Sequence, residues 1–485
     1  MSPARRESAL APVLIYTTMV TAIISSLGAQ LIPTIAEDLH VSLSTAQWSL
    51  TVTLLVGAVS SPIMGRLGDG PRRRETLIGG LAAVTLGGAL AALASSLPLL
   101  VAGRALQGIG LGLVPLTMAA AREHLPRDRV PATIALLSVC AAAGVGIGYP
   151  VSGLIASGLG LSAAYWFGAL VSAVALAGAF AIIPSSSHLP RATLDVPGAL
   201  LLTAGLVALL LAITEGNGWG WTSTKVLGLL AVAALALVAW VFQQLRARAP
   251  LVELRLLRHR AVLTGDGCAI ILAVAMYMYL TGVTEYIQTP AAKGYGFSAS
   301  ILVAGLCLVP FSVFSIAASR TLPWLTRLVG PRGLLPVGTL IIAAGGVFFA
   351  LFHTALWQAF VMLGILGIGF GSTFAAIPGL IVRSVPESET GSAMGFYQVV
   401  RYIGFSLGSA VAASILSSHT PAGERLPTES GYLLLFWGGV AICLAGAVLL
   451  WFIPAGGAAP TRREQRLGEE DAELGAAGLV GLTRE

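Results

Sequence analysis

Apolar runs of about 20 residues recur along almost the whole chain, separated by short polar breaks. A helix needs roughly 20 apolar residues to cross the hydrocarbon core of a bilayer, so each run reads as a membrane span. Fourteen are legible, at 10–33, 46–65, 75–95, 97–121, 131–157, 161–183, 195–215, 225–245, 261–287, 298–320, 331–353, 356–382, 391–417 and 431–454. Local signals mark two starts. Ser44 and Gln47 have the spacing of a capping box before the second span, and Asp195 two residues ahead of Pro197 suits the start of the seventh. The first run follows Arg5 and Arg6 and imitates a secretory signal. It is too long for one, and thirteen similar runs follow, so it is expected to be a span.

The polar breaks carry an orientation. Counted on alternate loops together with both termini, one side holds twenty-three arginines, among them Arg66, Arg72, Arg73, Arg74, Arg122 and Arg383. The other side holds Lys225, Lys293 and Arg425. Positive loops stay in the cytoplasm, so both termini are expected there, in a bacterial plasma membrane. A miscount by one span would scramble this asymmetry.

Composition agrees with lipid as the solvent. The chain is 56% hydrophobic and 10% charged, with a mean hydropathy of +0.86, whereas a soluble domain is about 25% charged. The net charge of +6 comes from scattered loop arginines and not from a basic domain, so no nucleic-acid partner is indicated. Cys140, Cys268, Cys307 and Cys443 all lie in apolar runs without metal-ligand spacing, so neither zinc nor disulfides are expected. No phosphate-cradling GxxxxGK[ST] loop is present, which excludes ATP as the energy source, and no other cofactor is called for.

A shift of about 260 residues brings three motifs into register. Gly70-Pro71-Arg72 meets Gly330-Pro331-Arg332, Gly108 to Gly112 meets Gly367 to Gly371, and Gly144 and Gly148 meet Gly404 and Gly408. The repeat pairs spans 1–6 with spans 9–14 and leaves spans 7 and 8 as an insertion. Parallel halves of this kind hold their ligand near the midplane, between them, and rock for alternating access. The expected divisions are 1–185 and 259–455 as six-helix bundles, 186–258 as two inserted helices with a cytoplasmic loop, and 456–485 as a disordered tail.

Four constellations carry candidate chemistry. The loop after span 2 sets Gly65 and Asp69 before Arg72, Arg73 and Arg74, where an acid at the membrane edge can latch one conformation. Span 4 holds Arg104 about seven residues deep, roughly 10 Å, and a charge at that depth faces a cavity or a partner by default. Span 5 combines Gly144, Gly148, Pro150 and Gly153, which suits either a packing groove or a hinge. The intramembrane acids are Glu285 and Asp266 near the two ends of span 9 and Glu215 at the outer end of span 7. We expect Glu285 to face the cavity and take a proton, with Arg104 tuning it. An interfacial acid at a helix end is the plain alternative. Gln30, Gln107, Tyr149, Tyr277, Gln398 and Arg401 are candidate cavity residues, and Arg401 suits an anionic group or a partner acid.

These motifs resemble the major facilitator superfamily, over residues 10–454. Gly65, Leu67, Asp69 and the following arginines match its loop signature, one residue shorter after Asp69. Arg104-x-x-Gln107-Gly108 matches a span 4 pattern linked there to proton coupling. The span 5 run matches the antiporter signature in part, with Tyr149 before Pro150 and Leu154 after Gly153. Fourteen spans, the loop from Glu215 to Ser223 and the segment Pro250 to Arg255 resemble the drug/proton antiporter branch. That branch commonly has an acid in span 1, at the position held here by Ile24. The resemblance implies a monomeric exporter of small amphiphilic compounds driven by protons. A carrier of a lipid or dedicated natural product, with weak or no proton coupling, is the alternative. A membrane receptor or enzyme has no supporting motif.

Overall fold

The computed structural model describes residues 3–27, 31–41, 43–185, 193–254, 260–386, 389–421, 424 and 426–452. Among these residues the regular structure is helical, with no strand. α1 (Pro3–Ser26) leads into two short helices, α2 (Ile32–Asp38) and α3 (Leu43–Ala46). Then come α4 (Trp48–Gly68), α5 (Arg73–Ala92), α6 (Leu97–Gly108), a 3-10 stretch (Ile109–Gly112), α7 (Leu113–His124), α8 (Val130–Leu159) and α9 (Leu161–Ile182). α10 (Val196–Trp219), α11 (Thr224–Arg246), α12 (Arg260–Gln288), α13 (Ile301–Leu351), α14 (Leu356–Arg383), α15 (Thr390–Ser418) and α16 (Glu429–Phe452) complete the order. The tail beyond 452 lies outside the described residues, as does Gln30.

Twelve helical segments among the described residues are long and apolar enough to cross a membrane. α6, the 3-10 stretch and α7 form one of them, Leu97–His124. α13 supplies two, because Gly330 sits at φ 74°, ψ 164° and breaks the rod between Leu302–Gly330 and Gly333–Leu351. Glycine has no Cβ to oppose that conformation. α1 and α8 carry shorter apolar stretches, Ser8–Ile24 and Val130–Ala141.

Two expectations about helix ends are corrected. The first helix ends at Ser26 and not at 33, because Pro33 opens the new helix α2, where its missing N–H costs nothing. The second span starts at Trp48 with Gln47 in the cap position, and no side chain caps it. Asp195 does cap α10, accepting from Gly198 N at 3.0 Å.

Packing follows the glycine repeat. Gly108 and Gly112 lie against Thr53 and Ser60 of α4, while Gly110 meets Val84 of α5. In the second copy Gly367 and Gly371 lie against Phe311 and Ser315 on the first part of α13, and Gly369 meets Ile342 on its second part. Gly144 seats α8 on Ala22 of α1, and Gly404 seats α15 on Ala273 of α12. Each glycine lets a backbone come where any side chain would collide. α1 and α4 to α9 thus pack together, as do α12 to α16. α10 touches both groups, through α4 and through α15, and α11 leans on α10 with most of its surface turned outward. The four cysteines are buried and free.

Candidate functional site

The two groups of helices meet along two seams. In the first, α4 and α15 touch backbone to backbone, with Gly65 opposite Gly391 and Gly395 opposite Ser61 and Pro62. In the second, α8 meets α13, where Gly146 lies over Leu308 and Ser312 Oγ donates to Ala143 O at 2.6 Å. Glycines of α8 therefore face both ways, Gly144 toward its own group and Gly146 toward the other. Gly148 and Pro150 are buried farther along, Gly153 is half-buried, and α8 continues as a helix through Pro150.

Between the seams lies a cavity lined from both groups. Thr21, Leu54, Leu111 and Ala141 come from one side, and Tyr277, Gln398, Arg401, Tyr402 and Phe405 from the other. Leu111 reaches it from the 3-10 stretch, a local tightening that commonly marks functional helices. The Tyr277 and Phe405 rings stack at 4.6 Å. Tyr149 is half-buried and within electrostatic reach of Tyr277. The cavity measures about 40 Å³, far below the roughly 300–1,000 Å³ of ordinary small-molecule pockets, so in this conformation the halves are drawn together around it.

The arginine-rich end is closed across the first seam. Asp69, 2% exposed, accepts from Gly391 N at 2.6 Å, from Ser392 N at 2.9 Å and from Ser392 Oγ. Those amides belong to the first turn of α15, whose N–H groups lack partners within the helix and whose dipole favours an acid. Arg66 pairs with Glu389 at 3.4 Å. Arg122, at the end of α7, donates to Thr390 Oγ1 at 2.6 Å and to Val385 O at 3.0 Å. The expected arginine cluster behaves differently. Arg73 is buried inside its own group, bonded to Gly68 O, Ala119 O and Glu123. Arg74 packs over Phe180, while Arg72 is exposed beside Glu75. The residues that cross the seam are Asp69, Arg66 and Arg122; in the sequence the two arginines had looked only like topology charges.

Arg104 is fully enclosed. It donates to Ile24 O and Ser49 O at 3.2 Å and to Gln107 Oε1 at 2.7 Å, so it ties α1, α4 and α6 together. Gln107 gives its amide oxygen to this contact, its Nε2 is left without a partner, and it does not line the cavity wall. Glu285 is exposed, on a different face of α12 from buried Tyr279, Val283 and Tyr286, and no contact joins it to Arg104. The expected Glu285–Arg104 pair is therefore not assembled: both sit in the half of the fold away from the arginine-rich end, but their helices turn them to different neighbours. Asp266 is 6% exposed at the other end of α12, with Oδ1 lacking any hydrogen-bond partner. It lies within electrostatic reach of Tyr397 on α15, one turn before Arg401.

The family model of the Major Facilitator Superfamily matches residues 13–409. The chain belongs to that superfamily. The relatives that match it include export proteins. It is 28% identical to the tetracenomycin C resistance and export protein of Streptomyces glaucescens, over 85% of this chain and 76% of that one. It is 29% identical to the cephamycin export protein CmcT of Amycolatopsis lactamdurans, over 87% and 88%. The fold also matches the crystal structure of the human transporter MFSD10 at a TM-score of 0.64 and 15% identity, covering 93% of this chain and 100% of that one. This superfamily member is thus a multi-pass membrane transporter of small molecules and not an enzyme.

Proposed function

We propose that the protein exports small amphiphilic compounds from a bacterial cell by proton antiport, with the two halves rocking about the central cavity. The observation that carries this reading is the cavity itself, walled by both halves and closed at one end by contacts that cross between them. Alternating access needs such contacts to form and part in turn. The export proteins among its relatives support the direction. We take α1 and α8 as spans beside the twelve, which makes fourteen, in two six-helix bundles with α10 and α11 inserted between them. Both termini are then cytoplasmic, and the arginine-rich end, closed in the conformation described above, faces the cytoplasm. The monomer contains the whole cavity.

Asp266 is the acid we assign to the coupling proton. A carboxyl buried in a membrane helix is functional by default, and this one has an oxygen without a partner and adjoins α15, which also bears Arg401. The span 1 position that is commonly acidic in the drug/proton branch is Ile24, 1% exposed, which favours uncoupled export of a dedicated product as the second reading. One experiment separates the two. Purified protein in proteoliposomes is given an imposed pH gradient, and uptake of cationic dyes is compared with that of neutral lipophilic compounds. Antiport requires uptake that collapses on adding a protonophore; uptake indifferent to the gradient leaves the uncoupled reading in place.

The latch adds a pH dependence. Burial pushes the Asp69 carboxyl up from 3.8 to about 7, even though bonds from Ser392 and Gly391 pull the other way. The closed latch therefore holds a proton more tightly than an exposed carboxyl does. Protonation favours closure fully below about pH 4, and that help fades as pH climbs and is gone above about 7. Spin labels across the cytoplasmic end should report a closed fraction that falls between about pH 4 and 7. Asp69→Asn should flatten that dependence.

A further inference from the structure

Arg401 is the charged side chain on the cavity wall, and it is 2% exposed. A guanidinium presents five N–H donors. Here Nη1 donates to Gln398 Oε1 at 2.8 Å, while Nε has no partner. Among the described residues no carboxylate pairs with it, and none lines the cavity. Aromatic rings surround it instead, with its Cζ 4.4 Å from the Phe374 centroid, 5.4 Å from Phe405 and 5.5 Å from Tyr397. Ring faces recover part of what a buried cation loses on leaving water, but they leave its in-plane donors unused.

Arg104, buried as well, sits in a different setting, although its Nη2 also lacks a partner. It is met by two backbone carbonyls and an amide oxygen, away from the cavity wall. Arg401 lacks comparable acceptors and opens onto space. Its counterpart in the first repeat is Ala141, which lines the same cavity, so the symmetry of the scaffold does not require a charge there.

We infer that Arg401 is the anion-binding group of the cargo site, and that the cargo is a flat aromatic compound bearing a carboxylate or an ionised phenol. The inference rests on the carrier reading above and sharpens it to a substrate class. The stacked rings of Tyr277 and Phe405 supply a flat wall beside the guanidinium, and Gln398 holds the guanidinium from behind. A planar oxyanion matches the fork of an arginine better than that of any other side chain. A cationic cargo would meet an unscreened like charge.

The test uses three probes with one ring system: anthracene-9-carboxylate, 9-anthracenemethanol and 9-anthracenemethylammonium. Binding to the full chain in detergent is read by anthracene fluorescence, and proteoliposome uptake is measured alongside. The wild type should bind the carboxylate at least about tenfold more tightly than the alcohol, with the ammonium weakest. Arg401→Gln should reduce that preference to within about twofold and leave the alcohol unchanged. Gln398→Glu, which supplies an internal anion, should do the same with the guanidinium still present, and it decides the matter if Arg401→Gln does not fold. A wild type that prefers the ammonium, or variants that keep the carboxylate preference, overturns the inference. Failure of the carrier reading looks different: the binding preference persists, but no probe moves under a gradient.

Discussion

Asp266→Asn is expected to abolish gradient-driven transport while leaving cargo binding intact. Asparagine has the shape of aspartate but cannot take up or release a proton, so packing against α15 is retained. Asp266 is buried and one of its oxygens lacks a partner, so no ion pair is broken by the change. Uptake driven by a pH gradient should fall to that of empty vesicles, with probe affinity within about twofold of wild type. Glu285→Gln, at the exposed end of the same helix, should keep coupled uptake. If Asp266→Asn still moves cargo in proportion to the gradient, or Glu285→Gln loses it, the coupling proton travels elsewhere.

The second large effect comes from a residue without a side chain. A Cβ on Gly391 would run into the Gly65 carbonyl and lie 2.7 Å from Asp69 Oδ1, where only backbone can fit. Gly391→Val should therefore hold the seam at the arginine-rich end open and stop turnover, even though each bundle folds. Gly79 has open space around its would-be Cβ, so Gly79→Ala serves as the neutral control. Labels across that end, read by spin–spin distance, should show the closed population lost in Gly391→Val and kept in Gly79→Ala. Turnover of Gly391→Val near the wild-type rate would mean that α4 and α15 need not touch during the cycle.

Helices, twelve of them long and apolar enough to span among the described residues, were legible in the sequence, and azimuth was not. Apolar runs located the spans because the bilayer imposes a length, and glycine spacing exposed the repeat because close backbone approach imposes a residue type. Depth along a helix follows from 1.5 Å per residue, which placed Arg104 and Glu285 at similar levels. Which neighbour each one faces depends on the rotation of each helix against the others. Arg104 turned to α1 and α4, while Glu285 turned outward. The arginines after Asp69 carry the same lesson. Loop charge could be counted, but the reach of Arg66 and Arg122 into α15 depends on where α4 and α7 end in space. Asp69 itself was readable because few residues suit the N-terminus of a facing helix as an acid does.

The inserted pair is a passenger that has to choose a side. α10 rests on α4 in one half and on α15 in the other, so under the rocking proposed above it could not stay fixed to both. Trp240 of α11 stacks on Phe396 of α15 at 6.4 Å, and Val399 of α15 is buried with Leu202 and Leu206 of α10, whereas Ile63 of α4 reaches that cluster only in part. Leu210 of α10 is shared between Ala58 of α4 and Tyr402 of α15, so the stack made by Trp240 is what tips the pair toward the second half. α10 and α11 would then ride with α15 as a keel, and the sliding surface would run along α4, greased by small and branched aliphatic side chains.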